Sequence, residues 1–272
     1  MRLWIGPVFS LLLLCPWILG NSECNAFSGT ADKTGDAALM YEARQKIDKG
    51  EYALALTTIA QMTTANREAH DGRILEASAH AGLCGLNLVT FASNLSAGAA
   101  TNPLMKLLLT EMKAATSYAS CVSAETLLLA IPAAQMTSDD WVFFAFVEFA
   151  KMGAALEFAQ LDSPAHSGTP IPLFNTCTAA ALLTDAIVAD IGLGIALAIT
   201  AITNSGIAIG PSGISAICGA PISYPCTATS AATISANAAH MLLIRTLIKT
   251  NEIGLNTCGG AIASSVDCAP CI

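Results

Sequence analysis

Cys268-Ala269-Pro270-Cys271 has the C-x-x-C spacing used in thiol–disulfide exchange. Redox proteins set this pair at a helix N-terminus after a strand, where the dipole lowers a thiol pKa. Here one residue follows it and no strand pattern precedes it, so the expected role is structural bridging. Zinc is a second chemistry open to Cys258, Cys268 and Cys271, but a tetrahedral site needs a fourth ligand and no His lies nearby. Glu76 and His80, at i and i+4 on one helix, can share a proton or a metal. Two such residues do not complete a site, and a solvated helix face is the expectation. Asp185 and Asp190 stand in an apolar stretch, and burial raises the pKa of an acid toward general acid–base use. They lie about 140° apart around a helix, so they do not converge. One is expected at a cap or loop, the other satisfied by a backbone donor. The four His (His70, His80, His166, His240) form no Ser/His/Asp signature, and no Gly-rich phosphate loop follows a strand. The expectation is a protein that is not an enzyme, with no catalytic residue, no cofactor and no metal.

The remaining cysteines take their meaning from residues 1–22. Met1-Arg2, the apolar run around Leu11–Leu14 and the small polar Gly20-Asn21-Ser22 read as a secretory signal cleaved between 20 and 23. Export into an oxidising space predicts pairing among Cys84, Cys121, Cys177, Cys218, Cys226, Cys258, Cys268 and Cys271, with 105 connectivities open. Cys15 falls in the signal. Cys24 is left over as a candidate for lipidation, although Glu23 and Asn21 fit a lipid-anchor signal poorly. Asn94-Leu95-Ser96 is a glycosylation sequon, relevant only in a eukaryotic host.

Hydrophobic residues make up 54% of the 272 and charged residues 12%, against a usual ~25% charged. The net charge of -8 becomes about -9 once Arg2 is removed with the signal. That balance repels phosphate backbones, so nucleic acid is not an expected partner. Between Lys151 and Arg245 there is no Lys or Arg, and the acids are Glu157, Asp162, Asp185 and Asp190. The C-terminal half is therefore expected to be mostly buried.

No sustained period-2 alternation occurs, and the fold expected is all-α with little or no β. Asp36 is expected to cap a helix carrying Leu39, Met40, Ala43 and Ile47. Gly50 is expected to end it in the left-handed conformation before a second helix with Tyr52, Ala55, Leu56, Ile59 and Met62. Further helices are expected over 66–85, 104–119, 123–136 (capped by Ser123), 138–161 (capped by Ser138), 178–203 and 229–251. The aromatic-rich helix at 138–161 is expected to anchor the core. Residues 162–176, with Pro164, Gly168, Pro170 and Pro172, read as a linker between a helical region at 23–161 and a Cys-rich hydrophobic region at 177–272. Residues 191–210 lack charge over a length that can span a bilayer, but Gly192, Gly194 and Gly206 and the absence of flanking Lys or Arg favour a buried helix.

Lys49-Gly50-Glu51-Tyr52, followed by Ala55-Leu56 and Ile59, resembles the turn and second helix of a tetratricopeptide repeat. The resemblance covers residues 36–85, with Ala77 and Gly82 matching the first helix of a second unit. The family's early aromatic and closing Pro are absent. The resemblance implies stacked helical hairpins presenting a concave face to a peptide or protein, with Tyr52, Ile59 and Met62 as candidate groove residues. The expected function is an exported scaffold or adaptor of the periplasm or envelope, tethered to the outer membrane if Cys24 is acylated. The alternatives are a carrier of a lipid or other hydrophobic small molecule, held among residues 141–158 and 182–202, and a membrane-inserted envelope subunit using residues 191–210.

Overall fold

The computed structural model describes residues 34–98, 103–112, 117–159, 183–207, 218, 226–250 and 254–255. Residues 1–22, expected to be a signal, Cys24, residues 162–176, expected to be a linker, and Cys177, Cys258, Cys268 and Cys271 lie outside the described residues. Among the described residues the secondary structure is helical, with no strand. The helices are α1 (Asp36–Asp48), α2 (Tyr52–Ile59), α3 (Thr64–Glu68), α4 (His70–Cys84), α5 (Leu88–Gly98), α6 (Leu104–Glu111), α7 (Tyr118–Leu129), α8 (Ser138–Phe158), α9 (Asp185–Asn204), α10 (Ala231–Ser235) and α11 (Ala238–Lys249).

The first two helices form a hairpin. Gly50 turns between them at φ +75°, a conformation that a Cβ would penalise. Asp36 does not cap α1. The cap position is Gly35, and the Asp36 carboxylate instead accepts from the Thr63 backbone N–H at 2.7 Å and its hydroxyl at 2.6 Å, and from Asn66. It thereby ties the start of α1 to α3. The expected helix at 66–85 is split, because Ala69 is extended and α4 starts afresh at His70. At this corner Gly72 lies against the Asn66 and Arg67 backbone, where no Cβ fits.

The later helices also start at positions other than those expected. Ser123 is interior to α7, its hydroxyl donating to the Ala119 carbonyl, and Ser117 is the cap. Thr137, not Ser138, caps α8, in a reciprocal box with Asp140. Thr184 caps α9, so that helix begins seven residues later than the apolar run itself. Asn237 caps α11 and separates it from α10, where one helix was expected.

Two apolar clusters hold these elements together. A small one joins α1, α2 and α4 through Leu39, Ala43, Ala55, Ile59, Met62, Leu75 and Ala79. The large one runs from Ala77 and Ala81 of α4 through α6, α7, α8 and α9 to Ile244 and Ile248 of α11. Helix α4 belongs to both and connects them. The most extensive interface is α8 on α9. Small residues let it close: a Cβ at Gly194 would stand 2.8 Å from Met152 Cγ, and on another side of α8 one at Gly153 would stand 2.6 Å from Cγ of Met112, which follows α6. Helix α9 is apolar and long enough to cross a membrane, and 67% of its most apolar window is buried inside the protein. Two disulfides add covalent links. Cys84–Cys121 joins the end of α4 to α7 with Cα atoms 5.1 Å apart, and Cys218–Cys226 closes a short loop with Cα atoms 5.7 Å apart.

Candidate functional site

A groove of about 260 Å³ runs between α1 and α4. Arg44, Ile47 and Asp48 form one wall, and Asp71, Ile74, Leu75 and Ser78 form the other. Its floor is apolar because Ile47 and Leu75 reach the small core cluster. Its rim carries one cation and two carboxylates. The parts therefore suit an extended segment that offers an apolar side chain to the floor and polar groups to the rim.

The groove residues suggested by sequence fall elsewhere. Ile59 and Met62 are buried in the small cluster, so packing accounts for them. Tyr52 is half-buried, its ring lying on the bare backbone of Gly82. The wall that faces out belongs to α1 and α4.

His70 stands at the head of α4 and links this groove to the large core. Its Nδ1 lies 2.8 Å from Asp71 Oδ1 and its Nε2 lies 3.0 Å from Asp140 Oδ2. A neutral imidazole has one N–H, whereas two carboxylate partners call for two donors. The geometry thus favours the imidazolium, and the Asp71 hydrogen bond holds the His70 pKa above its ordinary value. Asp140 is pulled below the usual carboxylate range. Burial opposes that shift, but hydrogen bonds from Thr137 and His70 outweigh it. Beside His70, Arg73 donates to the Ala130 carbonyl that ends α7, and a second hollow of about 240 Å³ is lined by Glu68, His70, Arg73 and Gln135.

A buried charge cluster sits deeper, where α7, α8 and α9 meet. Lys151 Nζ is fully buried and lies 2.9 Å from Glu125 Oε1, 3.0 Å from Glu148 Oε2 and 3.4 Å from Asp190 Oδ1. The Tyr118 hydroxyl donates to the other Asp190 oxygen. Glu148 Oε1 is buried without a hydrogen-bond partner among the described residues. Burial pushes Glu148 up to about 8 against the pull of Lys151, and burial likewise raises Glu125. Burial works against the Lys151 charge, but three carboxylates outweigh it and hold the ammonium above its ordinary range. Burial, with Asp190 next, raises the Tyr118 phenol.

Sequence reasoning marked Asp190 but not the partners it finds here. Asp190 is met by side chains from α7 and α8 rather than by a backbone donor. Asp185, in the first turn of α9, pairs with Arg245 of α11 at 2.6 Å, and the same guanidinium donates to the Leu183 carbonyl. Among the described residues neither aspartate is bonded to a His, and His166 lies outside them. Glu76 turns to Arg67 at 3.6 Å, and His80 is half-buried, its pKa lowered by burial. Among the described residues no group of three His, Cys, Asp or Glu is placed to hold a metal ion.

No protein-family model, curated protein or solved structure matches the chain.

Proposed function

We propose that the protein is an exported, non-enzymatic scaffold that takes a peptide or an extended protein segment in the groove between α1 and α4. The observation that carries this reading is the groove itself: two neighbouring helices, α1 and α4, leave an open trough with an apolar floor and a charged rim. The tetratricopeptide resemblance at residues 36–85 points the same way, since it implies stacked helical hairpins that present a concave face to a peptide or protein. The two disulfides suit an oxidising compartment, in keeping with the signal-like residues 1–22. Acylation of Cys24 would tether the scaffold to a membrane.

The test is selection of random peptides displayed on phage against the oxidised protein, followed by binding measurements on the enriched peptides. Ser78→Tyr fills the trough and Arg44→Glu inverts its rim, whereas Leu129→Ser alters an exposed residue of α7 away from it. Peptides that lose at least tenfold in affinity against both groove variants, and none against Leu129→Ser, support the proposal. No enrichment, or equal binding to all four proteins, overturns it.

A further inference from the structure

The cluster around Lys151 contains more acid than base. Glu125, Glu148 and Asp190 converge on one ammonium, and Glu125, Glu148 and Lys151 are all withdrawn from water. With all three carboxylates ionised the site carries two net negative charges in a medium that solvates them poorly. Such a site lowers its energy by taking up a proton rather than holding the charge. Glu148 is the group placed to receive it. It is fully buried, and its Oε1 has no donor directed at it among the described residues. We propose that the Lys151 cluster is a proton-binding site that keeps one exchangeable proton, carried by Glu148, and that losing this proton loosens the clasp joining α7, α8 and α9.

The charge change is simple. With Glu148 protonated, the Lys151 ammonium faces two carboxylates and the site has one net negative charge. Alkaline medium removes the proton to solvent and leaves two. The groups that face Glu148 are Lys151 on its own helix, Glu125 from α7 and Asp190 from α9, with the Tyr118 phenol behind Asp190. Two more helices pack on α8. At Gly153, α6 meets it through Leu108 and Met112, and the α6 charges are Lys106 and Glu111, the latter bonded to Asn94. From α4, His70 reaches α8 at Asp140, two turns before Glu148, and Glu76 and His80 interact with each other on α4 itself. Beyond α9, Arg245 of α11 is engaged at Asp185.

The direction of the response follows from linkage. A carboxyl whose proton is held more tightly in the folded state than in the unfolded state stabilises the fold at low pH. That stability is fully present below the unfolded value near 4.5 and is lost as pH rises through about 8. His70 acts in part of the same window, so the test is made in a His70→Gln background.

Infrared spectra of the folded full chain, with Glu148→Gln and Glu125→Gln beside it, read the proton directly. At about pH 6 the wild-type cluster is expected to show the carbonyl band of a protonated, buried carboxyl, and that band is expected to disappear as pH passes about 8. Glu148→Gln removes the band, and Glu125→Gln, which takes away one of the charges that raise Glu148, moves the loss of the band to lower pH. Calorimetric unfolding near neutral pH, in buffers of differing ionisation enthalpy, is expected to release about one proton more from the His70→Gln protein than from the same protein carrying Glu148→Gln. A band absent from the wild type at about pH 6, or one that survives Glu148→Gln, overturns the proposal. If Glu148→Gln does not fold, the wild-type band and its loss with pH still decide.

Discussion

The ring of Tyr52 occupies the space that a side chain at position 82 would fill. A Cβ built on Gly82 would stand 2.2 Å from Tyr52 Cε1 and 2.3 Å from Cδ1, so α2 reaches α4 only because that residue has none. Gly82→Ala would ordinarily stabilise a helix interior by about 1 kcal/mol. Here the contact reverses the sign, and Gly82→Ala is expected to destabilise the protein by about 1–3 kcal/mol through overpacking. Urea midpoints of Gly82→Ala, Tyr52→Leu and the double variant check this. The double variant is expected to be more stable than the sum of the single effects implies, because the smaller residue at 52 removes the clash.

Truncating the buried ammonium tests the charge cluster as a structural unit. Lys151→Met leaves three carboxyl groups, at least two of them ionised, converging on an apolar side chain, a change expected to cost about 3–5 kcal/mol. Adding Glu125→Gln and Glu148→Gln is expected to recover more than half of that loss, because the unpaired charges go with their partner. Chemical denaturation followed by far-UV and near-UV circular dichroism provides the check. A loss under 1 kcal/mol in Lys151→Met would mean that the ion pairs are not buried as described.

Much of the fold was legible in the chain, and the misses have identifiable causes. The α1–α2 hairpin, Gly50 and the anchoring role of α8 follow from spacing and turn chemistry, which are local. The caps at Ser123 and Ser138 were misplaced because several hydroxyl residues stand close together there, and tertiary packing chooses among them. Ile59 and Met62 share a helical face, but sequence does not say whether that face meets solvent or α4. Glu125, Glu148 and Lys151 did carry a signal. Each is an isolated charge in an apolar helix, and Glu148 and Lys151 stand at i and i+3. What sequence withholds is that α7 and α9 bring Glu125 and Asp190 to the same point.

His70 and Asp140 form a latch with a definite pH response. The folded pKa of His70 is raised, so its contribution is fully present below about 6.5 and is lost as pH rises through the higher folded value. The folded pKa of Asp140 is lowered, so its contribution is present above the unfolded value of 3.8 and is lost as pH falls through the lower folded value. The latch is therefore strongest in mildly acidic medium. Proton NMR titration of the His70 ring is expected to give a midpoint above that of free histidine. Asp140→Asn should move that midpoint down, and it should also weaken the cap of α8 by about 1 kcal/mol.

The Cys84–Cys121 bridge fixes the end of α4, which both apolar clusters share, to α7, which carries Tyr118 and Glu125. The two cysteines are 37 residues apart in sequence. Closing a loop of that order removes unfolded-chain entropy worth about 3–4 kcal/mol. Cys84→Ala with Cys121→Ala is expected to lower stability by about that much and to leave the helical spectrum intact, because the surrounding packing on Leu128, Ala81 and Phe144 persists. Cys218→Ala with Cys226→Ala opens a loop of only 8 residues and is expected to cost less. Guanidinium midpoints rank the two, and intact mass after alkylation, before and after reduction, shows whether each pair is blocked in the natively expressed protein. If alkylation labels Cys84 and Cys121 before reduction, the bridge does not form, and the junction of α4 with α7 depends on apolar packing alone.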